Sequence, residues 1–284
     1  MKRFLSIGIL ILTAVVVNAQ DAADKINQAN EAMQAKDYAK AFELYEGAMN
    51  NLGDVQVPDA INYNIGLAAY NSDNFEKAIE YLDKAIAAEA NVAKSHDYKA
   101  RSYNKLKDYP NTVASYEAAI AASDGDSKTL KYNAGIAAYR GEIFDKAISY
   151  FSQSVELGYK AETAQYYKAV VCNKQGDKAG YKQALVEGAE KFPTDNKIGA
   201  ALAKLYVSEG NGLYKKGVAV LNAANEKVNG GAMKTTDAEY TAEVEKVKVE
   251  FQAASEVLEK AVQLDASNEN ASKLLDACKQ SLTI

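Results

Sequence analysis

The chain has little of what catalytic, metal-binding and nucleic-acid-binding proteins use. Its 284 residues include no tryptophan, one histidine, two cysteines and three prolines, and its 38 acidic residues outnumber 33 basic ones. Zinc sites and catalytic triads use histidine or cysteine in clusters, and a nucleic-acid partner requires a basic surface. The composition therefore argues against these three classes. The scarcity of proline favours a helical chain, because proline breaks helix interiors.

A long apolar run occurs only at the start of the chain. A positively charged head, residues 1–3, precedes a mainly apolar run of fourteen residues at 4–17, which is short for a membrane span. Val17 and Ala19 suit cleavage before Gln20. The sequence therefore predicts a signal peptide over residues 1–19 and an exported protein, periplasmic or secreted, with association with the outer membrane as one location. An uncleaved membrane anchor is the alternative, and no cysteine lies near the cut to carry a lipid.

The few residues with chemical potential favour structural roles. His96 stands in a Ser-His-Asp run, but adjacent residues on a helix point in different directions, so a packing role is predicted. Residues 124–127 resemble the start of a calcium loop but lack its later carboxylates and terminal glutamate. Cys172 and Cys278 lie among apolar neighbours and are predicted to be buried free thiols. No catalytic residue, metal or cofactor is predicted.

Two segments nearly copy each other. Residues 62–70 read Asn-Tyr-Asn-Ile-Gly-Leu-Ala-Ala-Tyr, and residues 131–139 read Lys-Tyr-Asn-Ala-Gly-Ile-Ala-Ala-Tyr. A second matched pair follows them, at 75–82 and 144–151. The copies lie 69 residues apart, which is two periods of about 34, and this period is typical of stacked helix pairs.

The same period connects five equivalent positions on the second helix of each pair. Gly66 and Gly135 also occupy equivalent positions in the middle of a predicted first helix, where glycine costs about 1 kcal/mol relative to alanine. A repeated cost of this kind predicts close helix packing at both glycines. The five second-helix positions are Ala41, Ala78, Thr112, Ala147 and Tyr181, with intervals of 37, 34, 35 and 34.

With these small residues and with Asp-Tyr turns at 37–38 and 108–109, the chain resembles the tetratricopeptide repeat family. The resemblance implies an all-α fold, a right-handed superhelical solenoid of stacked antiparallel helix pairs. Residues 230–284 are predicted to form an atypical last unit, with a long helix to Leu264 and a capping helix from about residue 269. The predicted array covers residues 20–229, with units at about 22–55, 59–92, 93–126, 128–161, 162–195 and 196–229, the last distorted and with a longer turn.

The resemblance further implies that the first helices line a concave groove that holds peptides or partner helices. Of the charged inner-face positions, all but Asp97 are basic, so a tyrosine-lined groove with a basic rim is predicted. Such a groove suits a peptide with acidic side chains or a free C-terminal carboxylate. Ordinary packing of the tyrosines and solvation of the lysines is the alternative. The candidate binding residues are Tyr63, Tyr70, Asn71, Lys94, Arg101, Asn104, Lys105, Tyr132, Tyr139, Arg140, Tyr166, Asn173 and Lys174.

The predicted function is that of a non-catalytic protein–protein interaction scaffold or adaptor of the bacterial cell envelope. The expected partners are proteins or peptides, with no nucleic acid and no membrane span after signal cleavage. The carboxylate clamp of one family branch is incomplete here, because Ile26 and Tyr98 replace its first lysine and its arginine. A small-molecule or glycan-binding module of a nutrient-capture system is the alternative function, and a closed pocket in place of an open groove would favour it.

Overall fold

The computed structural model describes residues 5–52, 55–125 and 127–283, with side chains from Gln20 onward. All regular secondary structure in these ranges is helical, in thirteen helices. The predicted signal peptide covers residues 1–19. Residues 1–4 lie outside the described residues, and for residues 5–19 only the backbone is described. Within the described part of the chain, no helix has the length and apolar character needed to cross a membrane.

The chain divides into two compact units, and the first ends at Tyr159. It contains four helix pairs, in which each first helix packs against the second helix that follows it, and the second helices of the first three pairs pack against the first helix of the next pair. This is the predicted pattern of stacked pairs. The helices are α1 (Leu5–Gln34), α2 (Tyr38–Met49), α3 (Ile61–Asn71), α4 (Phe75–Ala87), α5 (Val92–Lys105), α6 (Tyr109–Ala121), α7 (Lys128–Arg140) and α8 (Phe144–Glu156).

The second unit begins at Lys160 and contains two helix pairs and a last single helix. Asn268 caps this last helix by accepting a hydrogen bond from the backbone amide of Ala271, at 3.1 Å, as its sequence position predicted. The all-α fold with a long C-terminal helix and a capping helix is thus confirmed. The helices are α9 (Ala161–Gln175), α10 (Lys178–Lys191), α11 (Asn196–Asn229), α12 (Ala238–Leu264) and α13 (Glu269–Ser281).

Turns within the pairs share one local design. In the first five pairs, the residue before the cap of the second helix has a positive φ of 58° to 86°. In three of these turns an aspartate then caps the second helix: Asp37, Asp108 and Asp177 accept hydrogen bonds from backbone amides at 3.3, 3.2 and 2.9 Å. Each cap satisfies an amide that the first turn of a helix leaves unpaired, so the recurring Asp-Tyr dipeptides mark helix starts.

Glycines allow the two helices of a pair to approach closely. A Cβ atom added at Gly66 would lie 2.7 Å from Cγ of Leu82, and one at Gly135 would lie 3.0 Å from the ring of Phe151. Leu82 and Phe151 are fully buried, so these larger side chains occupy the space that each glycine leaves. The packing reason predicted for both glycines is confirmed.

One part of the repeat assignment is wrong. The sequence predicted a sixth pair with a turn inside residues 196–229, whereas α11 is a single helix across that whole range. It pairs with α12, and a Cβ atom at Gly217 would lie 2.8 Å from the ring of Phe251. The sixth pair is therefore formed by two long helices, while the other unit boundaries stay predictions.

The two cysteines are buried free thiols, which confirms their predicted state. Burial raises the pKa of both Cys172 and Cys278, because a thiolate loses solvation inside the protein. Both thiols therefore remain protonated and pack as small apolar groups.

Candidate functional site

A cluster of tyrosine rings lies where first helices of neighbouring pairs meet. Tyr63 and Tyr70 project from α3, and Tyr98 from α5 contacts both, with ring centroids 6.3 and 5.3 Å apart and edge-to-face angles. Tyr70 also contacts Phe75, at 6.0 Å. All four rings are half-buried. We call Tyr63, Tyr70 and Tyr98 the tyrosine surface, which offers apolar area with polar hydroxyl tips.

Arg101 lies on this surface but its charge is already neutralised. Its Nε and Nη2 atoms donate to the two carboxylate oxygens of Asp97, at 3.0 and 2.7 Å. The guanidinium carbon also lies 5.1 Å from the centre of the Tyr98 ring. Burial lowers the pKa of Arg101, but the hydrogen bonds and charge of Asp97 outweigh this effect and raise it overall. Arg101 is therefore an ion-paired residue, and its predicted part in a groove with a basic rim stays a prediction.

The remaining cations around the tyrosine surface are more available. Lys94 and Lys105 are exposed on α5, and neither makes an ion pair with any residue that the structure describes. The Lys105 ammonium lies 5.9 Å from the Phe75 ring. Arg140 of α7 donates to the Asn104 side-chain oxygen at 3.3 Å, a neutral partner, and has no ion pair with the residues that the structure describes.

The structure separates the other predicted binding residues. Tyr132 is only 8% exposed, and its ring contacts Phe151 and Tyr159 at 6.1 and 5.9 Å. Its prediction as a groove residue is corrected, because it packs in the core. Asn71 is exposed, but its amide donates to the carbonyl of Leu67 within α3, at 2.8 Å.

Four further predicted residues lie on α7 and α9. Tyr139 is half-buried on α7 in the first unit. Tyr166, Asn173 and Lys174 lie on α9 in the second unit. Tyr166 is half-buried, against its neighbour Tyr167 at 6.4 Å, whereas Asn173 and Lys174 are exposed.

Two residues of this region were missing from the sequence prediction. Tyr98 joins the rings of α3 to the Arg101 guanidinium, and its spacing of three from Arg101 was a usable signal, because residues three apart share a helix face. Tyr116 of α6 is 5% exposed. Burial, followed by the charge of Asp97, raises its pKa to about 12. Tyr116 therefore stays neutral at pH 7 and lies close enough to Asp97 and Arg101 for both charges to affect its pKa.

A cation site of three or more His, Cys, Asp or Glu side chains is absent from the described residues. The lone histidine is half-buried on α5, and burial followed by the charge of Lys99 lowers its pKa. His96 is therefore neutral at pH 7 and suited to the packing role that its position predicted. The arrangement around the tyrosine surface can bind and orient a partner through rings, amides and cations.

Comparisons with known proteins agree with the repeated helix pairs. Residues 63–127 and 132–180 match the sequence profile of the tetratricopeptide repeat. Comparison with curated proteins gave no match.

Three solved structures are among those similar to this chain. The C-terminal part of a TPR repeat-containing protein from Cytophaga hutchinsonii is 15% identical with a TM-score of 0.50, over 88% of this chain and 99% of that one. A TPR repeats protein from Bacteroides fragilis is 23% identical with a TM-score of 0.38, over 92% and 98%. A tetratricopeptide repeat protein from Parabacteroides merdae is 17% identical with a TM-score of 0.48, over 92% and 99%. By the profile match over residues 63–127 and 132–180, this part of the chain is assigned to the tetratricopeptide repeat family.

Proposed function

We propose that this protein is a non-catalytic interaction scaffold of the bacterial cell envelope, which binds a peptide segment of a partner protein on its tyrosine surface. Proteins of the tetratricopeptide repeat family are generally non-catalytic, and repeat arrays use the extended surfaces of their stacked helices to bind other proteins. The family assignment supports a protein partner. The place of binding is supported by the contacts of α3, α5 and α7.

The observation that carries this proposal is the combination of clustered rings and unpaired cations. Tyr63, Tyr70 and Tyr98 form one contiguous group of half-buried rings, and tyrosine is enriched in the buried parts of protein interfaces. Lys94 and Lys105 lie on the same helix as Tyr98 and are exposed.

The charges favour an acidic partner segment. The chain as a whole has a formal net charge of −5. Among the described residues, however, Lys94, Lys105 and Arg140 have no carboxylate partner, whereas Arg101 pairs with Asp97. A carboxylate side chain or a free C-terminal carboxylate of a peptide would pair with Lys94, Lys105 or Arg140. Arg101 is not proposed to pair with the peptide carboxylate, because its ion pair with Asp97 holds its guanidinium against the Tyr98 ring.

The envelope location rests on the sequence of residues 1–19 and is tested separately. Fractionation of cells that express the full chain, followed by intact-mass measurement, should recover from the envelope fraction a protein that begins at Gln20. Recovery of the uncleaved chain from the cytoplasm would contradict the proposed export.

Binding is tested with an array of immobilised peptides that are acidic, neutral or basic and have free or amidated C-termini. The full-length protein should bind the acidic members, and Lys105→Glu should reduce this binding about tenfold or more at 50 mM salt. Lys40→Glu is the matched control, because Lys40 is exposed on α2 and has no ion pair among the described residues.

Two results would contradict the proposed charge preference, and a third would contradict the role of the rings. One is equal binding of acidic and basic peptides by the unmodified protein. The other is an equal loss of acidic-peptide binding in Lys105→Glu and Lys40→Glu, since only Lys105 borders the tyrosine surface. Retention of binding by Tyr70→Ala would contradict the role of the rings.

A further inference from the structure

A cavity of about 370 Å³ lies in the second unit, where the turn between α10 and α11 meets the end of α12 and the turn that follows it. Its volume is within the range of about 300–1,000 Å³ in which proteins bind small molecules. Turns and helix ends form this cavity, whereas the tyrosine surface is formed by the sides of α3 and α5. A ligand bound here would therefore be an addition to the proposed function.

The walls of this cavity are fixed by the core of the second unit. Phe192 and Leu264 line the cavity, and both pack against the buried cluster that contains Ile198 and Leu202. The turn before α11 is closed by a hydrogen bond that the Asp195 amide donates to the Phe192 carbonyl, at 3.0 Å. Walls held in this way lose little conformational entropy when a ligand binds.

The charged side chains in the cavity lining are two carboxylates, Asp195 and Asp265. Neither makes an ion pair with the residues that the structure describes. Oδ1 of Asp195 accepts hydrogen bonds from the amides of Lys197 and Ile198, at 3.0 and 2.9 Å. Oδ1 of Asp265 accepts from the amide and the hydroxyl of Ser267, at 3.1 and 2.7 Å. Oδ2 of each aspartate has no hydrogen-bond partner among the described residues and can accept from a ligand.

The helix ends at the cavity do not offset these two charges. α11 begins here and α12 ends here, and the two ends carry about half an elementary charge each, of opposite sign. The carbonyl of Leu264 belongs to the last turn of α12, where carbonyls have no partner within the helix. A Cβ atom added at Gly199 would lie 3.9 Å from this carbonyl oxygen and would meet no other atom within 4 Å. The cavity is therefore anionic and favours a cationic ligand.

The other part of the lining is apolar. Ala189, Phe192 and Pro193 line the cavity beside the carboxylates, and an aromatic ring also attracts a cation to its face. A metal ion would leave this apolar part unused. Calcium takes six to eight oxygen ligands, and no group of three or more His, Cys, Asp or Glu side chains suited to a metal occurs in the described part of the chain. A cation with a short aliphatic chain suits both parts of the lining.

We propose that this cavity binds a small aliphatic amine in its protonated, ammonium form. An ammonium group has three donor hydrogens, which pair with Oδ2 of Asp195, Oδ2 of Asp265 and the carbonyl of Leu264. The aliphatic chain of the amine packs against Phe192 and Pro193. A carboxylate or phosphate ligand would be repelled by the two aspartates, and a neutral alcohol of the same shape would leave both charges unpaired.

The test is isothermal titration calorimetry of the full chain with pentylamine, at pH 7 and 50 mM salt. Pentan-1-ol is the neutral analogue and should bind at least about tenfold more weakly. Asp195→Asn and Asp265→Asn should each weaken pentylamine binding about tenfold, which corresponds to about 1.4 kcal/mol. Asparagine keeps Oδ1 and is as good a helix cap as aspartate, so each variant removes the charge while the helix ends keep their hydrogen bonds.

The matched control is Asp177→Asn. Asp177 caps α10 in the same unit, with Oδ1 accepting from the Gly180 amide at 2.9 Å, but it lies outside the cavity lining. This variant should leave the affinity for pentylamine unchanged. Gly199→Leu tests the position without changing a charge. Its side chain extends into the cavity and should abolish binding, while circular dichroism shows unchanged helix content.

Each outcome decides the proposal. Binding of pentylamine that both cavity aspartate variants weaken and Asp177→Asn keeps supports it. Absence of pentylamine binding by the unmodified protein overturns it, as does full affinity in either cavity aspartate variant. Equal losses in Asp177→Asn and Asp265→Asn also overturn it, because the effect would then be one of general charge. Calcium binding without pentylamine binding would replace the amine site by a metal site. None of these results changes the acidic-peptide test of the tyrosine surface, so the two proposals fail separately.

Discussion

Gly210 and Gly212 lie two residues apart inside α11 but differ sharply in the space around them. A Cβ atom at Gly210 would lie 2.6 Å from Cγ of Leu258 and 2.8 and 3.2 Å from its two terminal carbons. A Cβ atom at Gly212 would meet nothing within 4 Å. Leu258 is fully buried with Leu275 and Cys278, so its side chain cannot move away without disturbing its neighbours.

These contacts predict opposite effects for the same substitution. Replacing glycine by alanine inside a helix contributes about 1 kcal/mol of stability, and this gain is common to both positions. Extra volume in a packed core costs about 1–3 kcal/mol, and only Gly210→Ala incurs this cost. Gly212→Ala should therefore stabilise the protein by about 1 kcal/mol, and Gly210→Ala should be less stable than Gly212→Ala by about 1–3 kcal/mol.

Urea unfolding of the full chain, followed by far-ultraviolet circular dichroism, measures the two free energies. The slope of free energy against urea should be unchanged, so that the shift in midpoint reports stability. Leu258→Ala alone should cost about 2–5 kcal/mol. Combined with Gly210→Ala, it should cost less than the sum of the two, because the shortened side chain no longer meets the new methyl group.

Two results would refute this reasoning. Equal midpoint shifts in Gly210→Ala and Gly212→Ala would mean that α11 does not press Gly210 against Leu258. Destabilisation by Gly212→Ala would mean that this position is a turn rather than helix interior, as the sequence-based sixth unit would allow.

Three further predictions concern the core and the tyrosine surface. Burial raises the pKa of Tyr116 from 10.0 to about 12. The neutral phenol of Tyr116 therefore makes its full contribution to the free energy of unfolding below pH 10, and this contribution is lost as the pH rises to about 12. Tyr116→Phe should reduce that alkaline loss by about 2–3 kcal/mol in urea unfolding at pH 9 and 12, and an unchanged loss would contradict its burial. Phe251 is 1% exposed and its ring lies 5.2 Å from that of Tyr214, so Phe251→Ala should cost about 3–5 kcal/mol; a cost below about 1 kcal/mol would argue against the α11–α12 pairing. Asp97→Asn removes the carboxylate that neutralises Arg101, so fluorescence anisotropy at 50 mM salt should show that this variant binds acidic peptides severalfold more tightly than the unmodified protein does. The difference should shrink at 500 mM salt, because salt screens the freed charge. Weaker binding by the variant than by the unmodified protein at 50 mM salt would contradict this prediction and show that the pair itself is needed.

Much of the fold could be predicted because its signals are local or strictly periodic. Asp37 and Asp108 cap the helices that their Asp-Tyr dipeptides marked. Gly66 and Gly135 meet large side chains at equivalent places in two pairs, as their spacing of two periods predicted. The sixth pair could not be predicted in this way, because Gly210 packs against Leu258 on the next helix, α12, outside the predicted unit 196–229.

The candidate site was less predictable because it depends on neighbours as well as on helix faces. The Asp97–Arg101 ion pair could have been predicted from the sequence, since residues four apart on a helix face each other. The pair neutralises the charge of Arg101, one of the predicted basic residues of the groove. The contact of Tyr98 with both Tyr63 and Tyr70 joins two helices. No spacing along one helix specifies a contact of that kind.

Tyr63 and Tyr132 show most clearly what sequence and tertiary structure each decide. The repeat places them at equivalent positions, 69 residues apart, on the first helices of two pairs, and this much was determined by the sequence alone. Their exposure differs because their neighbours differ. Tyr132 is covered by Tyr159, whereas the equivalent neighbour of Tyr63 in the earlier repeat is Ala90. Tyr132 contacts the rings of both Phe151 and Tyr159, whereas the ring contact of Tyr63 is with Tyr98. Only tertiary packing therefore makes one residue core and the other a candidate for binding.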